Sequence, residues 1–203
     1  MLLLLSLLGF VVPSRPTQPL RVAVEVADSV ELPSATRRQL VAELTAVFRP
    51  LEVQLSWRDD EDAPVLLTIA SRPAVLQVTR CRRGLHDHRM AVARLGKETG
   101  TGRVELWVDH VAHAVSGNWD REPTRLGDEV MGRALGRVLA HELGHILLRQ
   151  LGHAEAGLMQ SSLSAHDLVD ERSGFTDAQR TRLALALADS RSRFDPPPTP
   201  PAH

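Results

Sequence analysis

The chain contains no tyrosine, a single cysteine (Cys81), and only three tryptophans and four phenylalanines in 203 residues. Without tyrosine, no phenol can serve as proton donor or oxyanion partner. One cysteine excludes an internal disulfide framework and any zinc site built from several thiolates. Neither sign of charge dominates, with Lys+Arg 24 against Asp+Glu 25. No basic field therefore calls for nucleic acid or an anionic membrane surface. No apolar run reaches the roughly 20 residues of a spanning helix, so no stable membrane span is expected. The longest run, MLLLLSLLGFVV at residues 1–12, fits the apolar region of a secretory signal peptide and implies a secreted or periplasmic protein. A buried first strand or helix is the alternative reading. Nothing in the sequence sets an oligomeric state.

Residues 13–19 (PSRPTQP) read as a Pro-rich connector, so that 1–19 together precede the domain. Residues 195–203 (DPPPTPPAH) read as an extended, disordered tail, since prolines can make neither helix nor ladder. The span 20–194 is left for one domain, long enough for a proper core. Alternation predicts strands at 20–26 and 53–57, and the apolar run 65–70 suits a central strand. Two more strands, 90–95 and 104–108, flank a Gly-rich turn around Gly100 and Gly102. A helix over 34–48 is expected, capped by Ser34 and ended by Pro50. This order implies an α+β fold in which a mixed twisted sheet carries one backing helix. A long helix follows over about 125–151, with Gly152 as the residue that stops it. The last helix opens at Thr176 and Gln179, which have capping-box spacing, and shows Leu183, Leu185 and Leu187 on its apolar face.

The long helix carries His141-Glu142-Leu143-Gly144-His145. Positions four apart lie one above the other on a helix, so both histidines face the same way. They continue the apolar stripe of Val130, Ala134, Val138 and Leu148, while Glu142 shares a neighbouring stripe with Leu135, Leu139 and Ile146. Glu129, Arg133 and Arg137 mark the opposite face, spaced for ion pairs. Two imidazoles so placed can hold one metal ion, with Glu142 close enough to polarise a water on it. Catalytic zinc takes three protein ligands and keeps one position for water. His153, just past the glycine stop, is the leading candidate for the third. Neutral imidazoles leave the charge of a single zinc ion uncancelled, so the ion can acidify its water to a pKa of about 7. Glu142 would accept that proton as general base and return it to the leaving amine. The residues thus point to a zinc-dependent metalloendopeptidase acting on a peptide or protein substrate.

These residues resemble the metzincin zinc metallopeptidases, in which an H-E-x-x-H helix is followed by a glycine turn, a third histidine and a methionine turn. The resembling positions are His141, Glu142, His145, Gly152, His153 and Met159, and the likeness spans about residues 20–192. The chain looks most like small bacterial peptidases with HELGH, a longer loop and a G-[IL]-M segment. The resemblance implies a metzincin-like sheet with an active-site helix and a C-terminal helix, Met159 as an apolar floor beneath the metal, and substrate extended along an edge strand near 90–95. The usual spacing H-E-x-x-H-x-x-G-x-x-H would place Gly at Leu148 and His at Leu151. Here the third histidine comes two residues later.

Other readings stand beside this one. Glu171, with Asp167 and Asp170 behind it, competes for third ligand in an arrangement that would resemble the gluzincins. The same histidines could instead close a non-catalytic zinc site, structural or sequestering, although such a site has no need of Glu142. His166 reads as a loop residue, His110 and His113 as surface or packing residues. Cys81, near His86 and His88, reads as a structural thiol.

Overall fold

The computed structural model describes residues 20–28, 30–58, 65–70, 89–97, 101–117 and 126–194. The expectations placed on residues 1–19, on Cys81, His86 and His88, and on the tail 195–203 lie outside the described residues.

Five strands form one mixed sheet: β1 (Leu20–Asp28), β2 (Val53–Arg58), β3 (Val65–Ala70), β4 (Ala91–Leu95) and β5 (Gly102–Trp107). Their order across the sheet is β2-β1-β3-β5-β4. The first four in that order run parallel and β4 closes the edge antiparallel to β5. Parallel neighbours need a crossover, and α1 (Ser34–Phe48) supplies it between β1 and β2. Leu40, Leu44 and Phe48, four apart, are buried along its inner stripe, each worth about 2 kcal/mol of apolar transfer. Ser34 does not cap this helix. Pro33 holds the cap position with φ −49° and ψ 139°, no side chain caps it, and Ser34 is already the first helical residue.

The hairpin β4–β5 sets up an edge. Trp107 N–H donates to the Met90 carbonyl and Gly96 N–H to the Thr101 carbonyl. Even-numbered residues of this stretch therefore pair with β5, and Ala91, Ala93 and Leu95 turn their main-chain groups away from it. After β5 the chain enters α2 (Val108–Ser116), a helix that the expected order of elements did not include.

The long helix α3 (Asp128–Leu148) runs through the middle of the molecule. It packs against α1 along one side and against β4 and β5 along another. From residue 131 to 147 every position except Arg133 is buried. The solvent-facing side expected at Glu129, Arg133 and Arg137 is thus only partly real. Glu129 is exposed and pairs with Arg133 at 3.0 Å, whereas Arg137 is 0% exposed and meets Glu43 of α1 at 2.8 Å. The close approach of α1 rests on absent side chains. A Cβ on Gly132 would lie 2.6 Å from the Thr36 carbonyl, and one on Gly136 3.0 Å from the Leu40 carbonyl.

The helix also ends earlier than expected. Arg149, not Gly152, takes the left-handed conformation (φ 49°) and turns its N–H back to the carbonyls of His145 and Ile146. Glycine would adopt that conformation with less strain. Here the Arg149 side chain reaches the Gly96 carbonyl at 3.4 Å, an interaction a glycine could not make. Beyond it come a turn at residues 157–160, the short helix α4 (Ala165–Val169) and α5 (Asp177–Phe194). The capping box of α5 forms as expected: Thr176 N–H donates to Gln179 Oε1 at 3.0 Å and Gln179 N–H to Thr176 Oγ1 at 3.2 Å. Its inner stripe is Gln179, Leu183 and Leu187, while Leu185 is 66% exposed. Two residues along a helix is about 200° around it, so Leu183 and Leu185 cannot share a face.

Candidate metal centre

One turn apart on α3, His141 and His145 put their Nε2 atoms 3.0 Å from each other. His153 joins them, and one ring nitrogen from each of the three lies within 4.8 Å of the others. The ring centroids are 4.6, 5.4 and 5.0 Å apart for the pairs 141–145, 141–153 and 145–153. His141 and His145 are buried, and His153 is exposed, so the cluster opens to solvent on the His153 side. Among the described residues no other His, Cys, Asp or Glu completes a fourth corner.

The main chain decides the state of the two helical rings. His141 Nδ1 sits 2.6 Å from the Leu158 carbonyl and His145 Nδ1 sits 2.6 Å from the Gln150 carbonyl. A carbonyl only accepts, so each Nδ1 must carry the proton and each neutral ring leaves Nε2 bare. Burial pushes the His141 pKa down from 6.5 to about 4, against the raising effect of the Leu158 bond, with His145 and His153 adding to the depression. Burial also lowers His145. At neutral pH, two lone pairs then face each other at 3.0 Å with no proton between them. That arrangement repels unless a cation lies between them, and a nitrogen-lined, half-open corner suits zinc. The donor set fits the metal that the sequence motif implies.

Glu142 is 8% exposed beside this pair. Burial raises its carboxyl from 4.5 to about 7, and a hydrogen bond from the Ala93 N–H works the other way. The acid is thus tied to the outward-facing main chain of the edge strand β4. Met159 is 3% exposed and packs on Gly144, where a Cβ would come within 2.5 Å of its sulfur. The Gly in HELGH is the seat of that methionine.

The carboxylates that competed for the third position have other partners. Glu171 meets Arg133 at 3.2 Å, Asp170 meets His166 at 3.1 Å, and Asp167 accepts from Gln160 and Ser164. His110 Nδ1 lies 2.7 Å from the Arg89 carbonyl, and His113 is buried in α2. Sequence reasoning missed the carbonyls of Leu158 and Gln150, which fix both ring tautomers. Backbone acceptors leave no residue-type signal. It weighed Asp167 only as a metal ligand and missed its capping role, although Ser164-Ala165-His166-Asp167 has the spacing of a helix-start box.

No protein-family profile and no curated protein sequence matches the chain. Solved structures do. An archaemetzincin from Methanopyrus kandleri superposes with a TM-score of 0.54 at 16% identity, covering 86% of this chain and 98% of its own. A zinc-dependent peptidase from Methanocorpusculum labreanum gives 0.52 at 16% identity, covering 79% of this chain and 99% of its own. At that identity the likeness is one of fold: α+β, with helices packed on a mixed sheet.

Proposed function

We propose that the chain is a zinc-dependent metalloendopeptidase in which His141, His145 and His153 hold one zinc ion and Glu142 is the general base. The observation that carries this reading is the convergence of three imidazoles, two with Nε2 bared by main-chain acceptors, around a corner that stays open beside a buried carboxyl. A fold shared with an archaemetzincin and a zinc-dependent peptidase supports it. So does the exposure of His153, since a structural zinc site is closed by a fourth protein ligand.

Zinc in this corner would supply Lewis acidity, lowering the pKa of a water and polarising a peptide carbonyl. The residues do the rest. Leu158 and Gln150 orient the His141 and His145 rings through their Nδ1 protons, which is how a second layer of hydrogen bonds sets ligand direction. Glu142, held as a carboxylate beside the cation, takes a proton from the water and passes it to the leaving amine. The edge strand β4 offers the main-chain groups of Ala91 and Leu95 and the Ala93 carbonyl to an extended peptide, in the manner of an added strand. Because the Ala93 N–H anchors Glu142, a peptide lying there would pass beside the base.

The test compares wild type with Glu142→Ala and Glu142→Gln on denatured protein substrates, with zinc content measured in parallel. Each variant should retain one zinc and lose at least 100-fold in hydrolysis, the lower range for a positioned acid–base group. Zinc-loaded wild type that cleaves no faster than the variants would refute the peptidase reading.

A further inference from the structure

The turn at residues 157–160 touches two of the three imidazole positions through its main chain. Its Leu158 carbonyl accepts a hydrogen bond from His141 Nδ1, and its Met159 carbonyl accepts one from the Ala154 N–H at 2.8 Å, next to His153. Whatever holds this turn in place holds both. The turn itself is tight, with Gly157 at φ 71° and Gln160 N–H donating to the Gly157 carbonyl at 3.1 Å.

The turn is anchored on one side by α5 and the segment of chain before it, where the Leu158 N–H donates to the Gly174 carbonyl at 3.0 Å and Gln179 Nε2 to the Ala156 carbonyl at 2.6 Å, and at its exit by the Gln160 side chain. Gln160 Nε2 donates to Asp167 Oδ2 at 2.8 Å. The same oxygen accepts from the Ser164 N–H at 2.8 Å and the Ser164 hydroxyl at 2.6 Å, closing the capping box that starts α4. A capping residue alone has no need of Gln160. The segment bearing Asp167 is in turn bolted to α3. Arg137 Nη1 donates to the Asp167 carbonyl at 3.0 Å, and Arg133 Nη1 to the Val169 carbonyl at 3.0 Å. Arg137, fully buried, is held at its other end by Glu43. A connected path thus runs from α1 through Arg137, Asp167 and Gln160 to the Leu158 carbonyl on His141 and the Met159 carbonyl on the Ala154 N–H beside His153.

We infer that Asp167 is a positioning residue for the metal centre: by clamping Gln160 it sets the 157–160 turn, and through the Leu158 and Met159 carbonyls it orients His141 and places His153. This rests on the reading of the three histidines as zinc ligands. The charge of the carboxylate makes the clamp stronger than a neutral hydrogen bond. Partners outside the ligand sphere commonly change metal affinity 10–100-fold when removed.

The experiment measures zinc affinity of the full chain by competition with a chromogenic chelator, together with the melting temperature of the chelator-treated protein. Asp167→Ala and Gln160→Leu should each bind zinc about 10–100-fold more weakly. The double variant should be little worse than either single one, because both break the same clamp. Ser164→Ala removes the cap but keeps the clamp. It should lower the melting temperature and leave zinc affinity within about twofold of wild type. If the Asp167 variant does not fold, Gln160→Leu against Ser164→Ala makes the same comparison. Unchanged zinc affinity in the clamp variants overturns the inference, as does an equal loss in Ser164→Ala at matched stability. Failure of wild type to bind one zinc would instead remove the ligand reading beneath it.

Discussion

Replacing Glu142 by glutamine should stabilise the metal-free protein, and by an amount that depends on pH. The carboxyl is buried, and burial raises it from 4.5 to about 7. For an acid whose folded pKa lies above its unfolded value, the stabilising form is the protonated one. Its contribution is complete below about pH 4.5, is lost as pH rises towards 7, and stays lost above that. At about 1.4 kcal/mol for each tenfold change in proton affinity, ionisation of this one group removes about 3 kcal/mol between pH 4 and pH 8. Glutamine copies the shape and neutrality of the protonated acid, and its amide oxygen can accept the Ala93 N–H in the same way. The variant escapes the loss.

The gap between the two proteins should therefore open from near zero at pH 4 to about 3 kcal/mol at pH 8. For a chain of this size that is a melting-temperature difference of about 6–12 °C. Depression of the His141 pKa acts in the opposite direction, destabilising the fold as pH falls from 6.5 towards about 4. It is common to both proteins and cancels in the difference. The assay is thermal unfolding of chelator-treated wild type and Glu142→Gln across pH 4 to 8. Added zinc should narrow the gap, because a neighbouring cation favours the carboxylate. A difference that does not grow with pH, or a variant less stable than wild type at pH 8, would refute the reasoning.

Two further outcomes follow from packing. In Gly144→Ala the new methyl would sit 2.5 Å from the Met159 sulfur; unfolding should show a loss of about 1–3 kcal/mol from overpacking, and chelator competition weaker zinc binding. Arg137→Ala removes the 2.8 Å partner of the largely buried Glu43 carboxylate and leaves it the longer 3.8 Å pair with Arg133; it should cost about 3 kcal/mol in denaturant unfolding, whereas the double change Arg137→Met with Glu43→Leu should recover part of it.

How far the sequence alone reached is clearest in the elements that a local pattern encodes. The strands and α1 are legible because alternation and four-residue stripes are set within each segment, and the α5 box is legible because Thr176 and Gln179 form it by themselves. Arg137 was misplaced for the opposite reason. Its spacing from Glu129 and Arg133 is that of a solvated face, but its partner, Glu43, is supplied by another helix. A residue whose charge is compensated 94 positions away leaves no local trace. The hairpin edge at β4 belongs to the same class. That Ala93 would meet Glu142 depends on how the sheet and α3 lie on each other, which periodicity does not encode.

The end of α3 joins these two kinds of information. The spacing of the motif suggested that the helix continues to Gly152 and that the extra residues before His153 are helical. The hydrogen bonds require something else. His145 needs a carbonyl for its Nδ1 proton, and that acceptor belongs to Gln150, five residues on. In a continuing helix the Gln150 carbonyl would point along the axis towards residue 154, away from the preceding turn. The helix must therefore stop before Gln150, and it does so at Leu148, with Arg149 left-handed in place of a glycine. The longer connection then lies in the non-helical stretch 150–153, where it lets the chain double back. The Ala154 N–H reaches the Met159 carbonyl there, and His153 arrives beside the other two rings. A third histidine two residues late can still converge, because the ring that precedes the turn dictates where the turn begins.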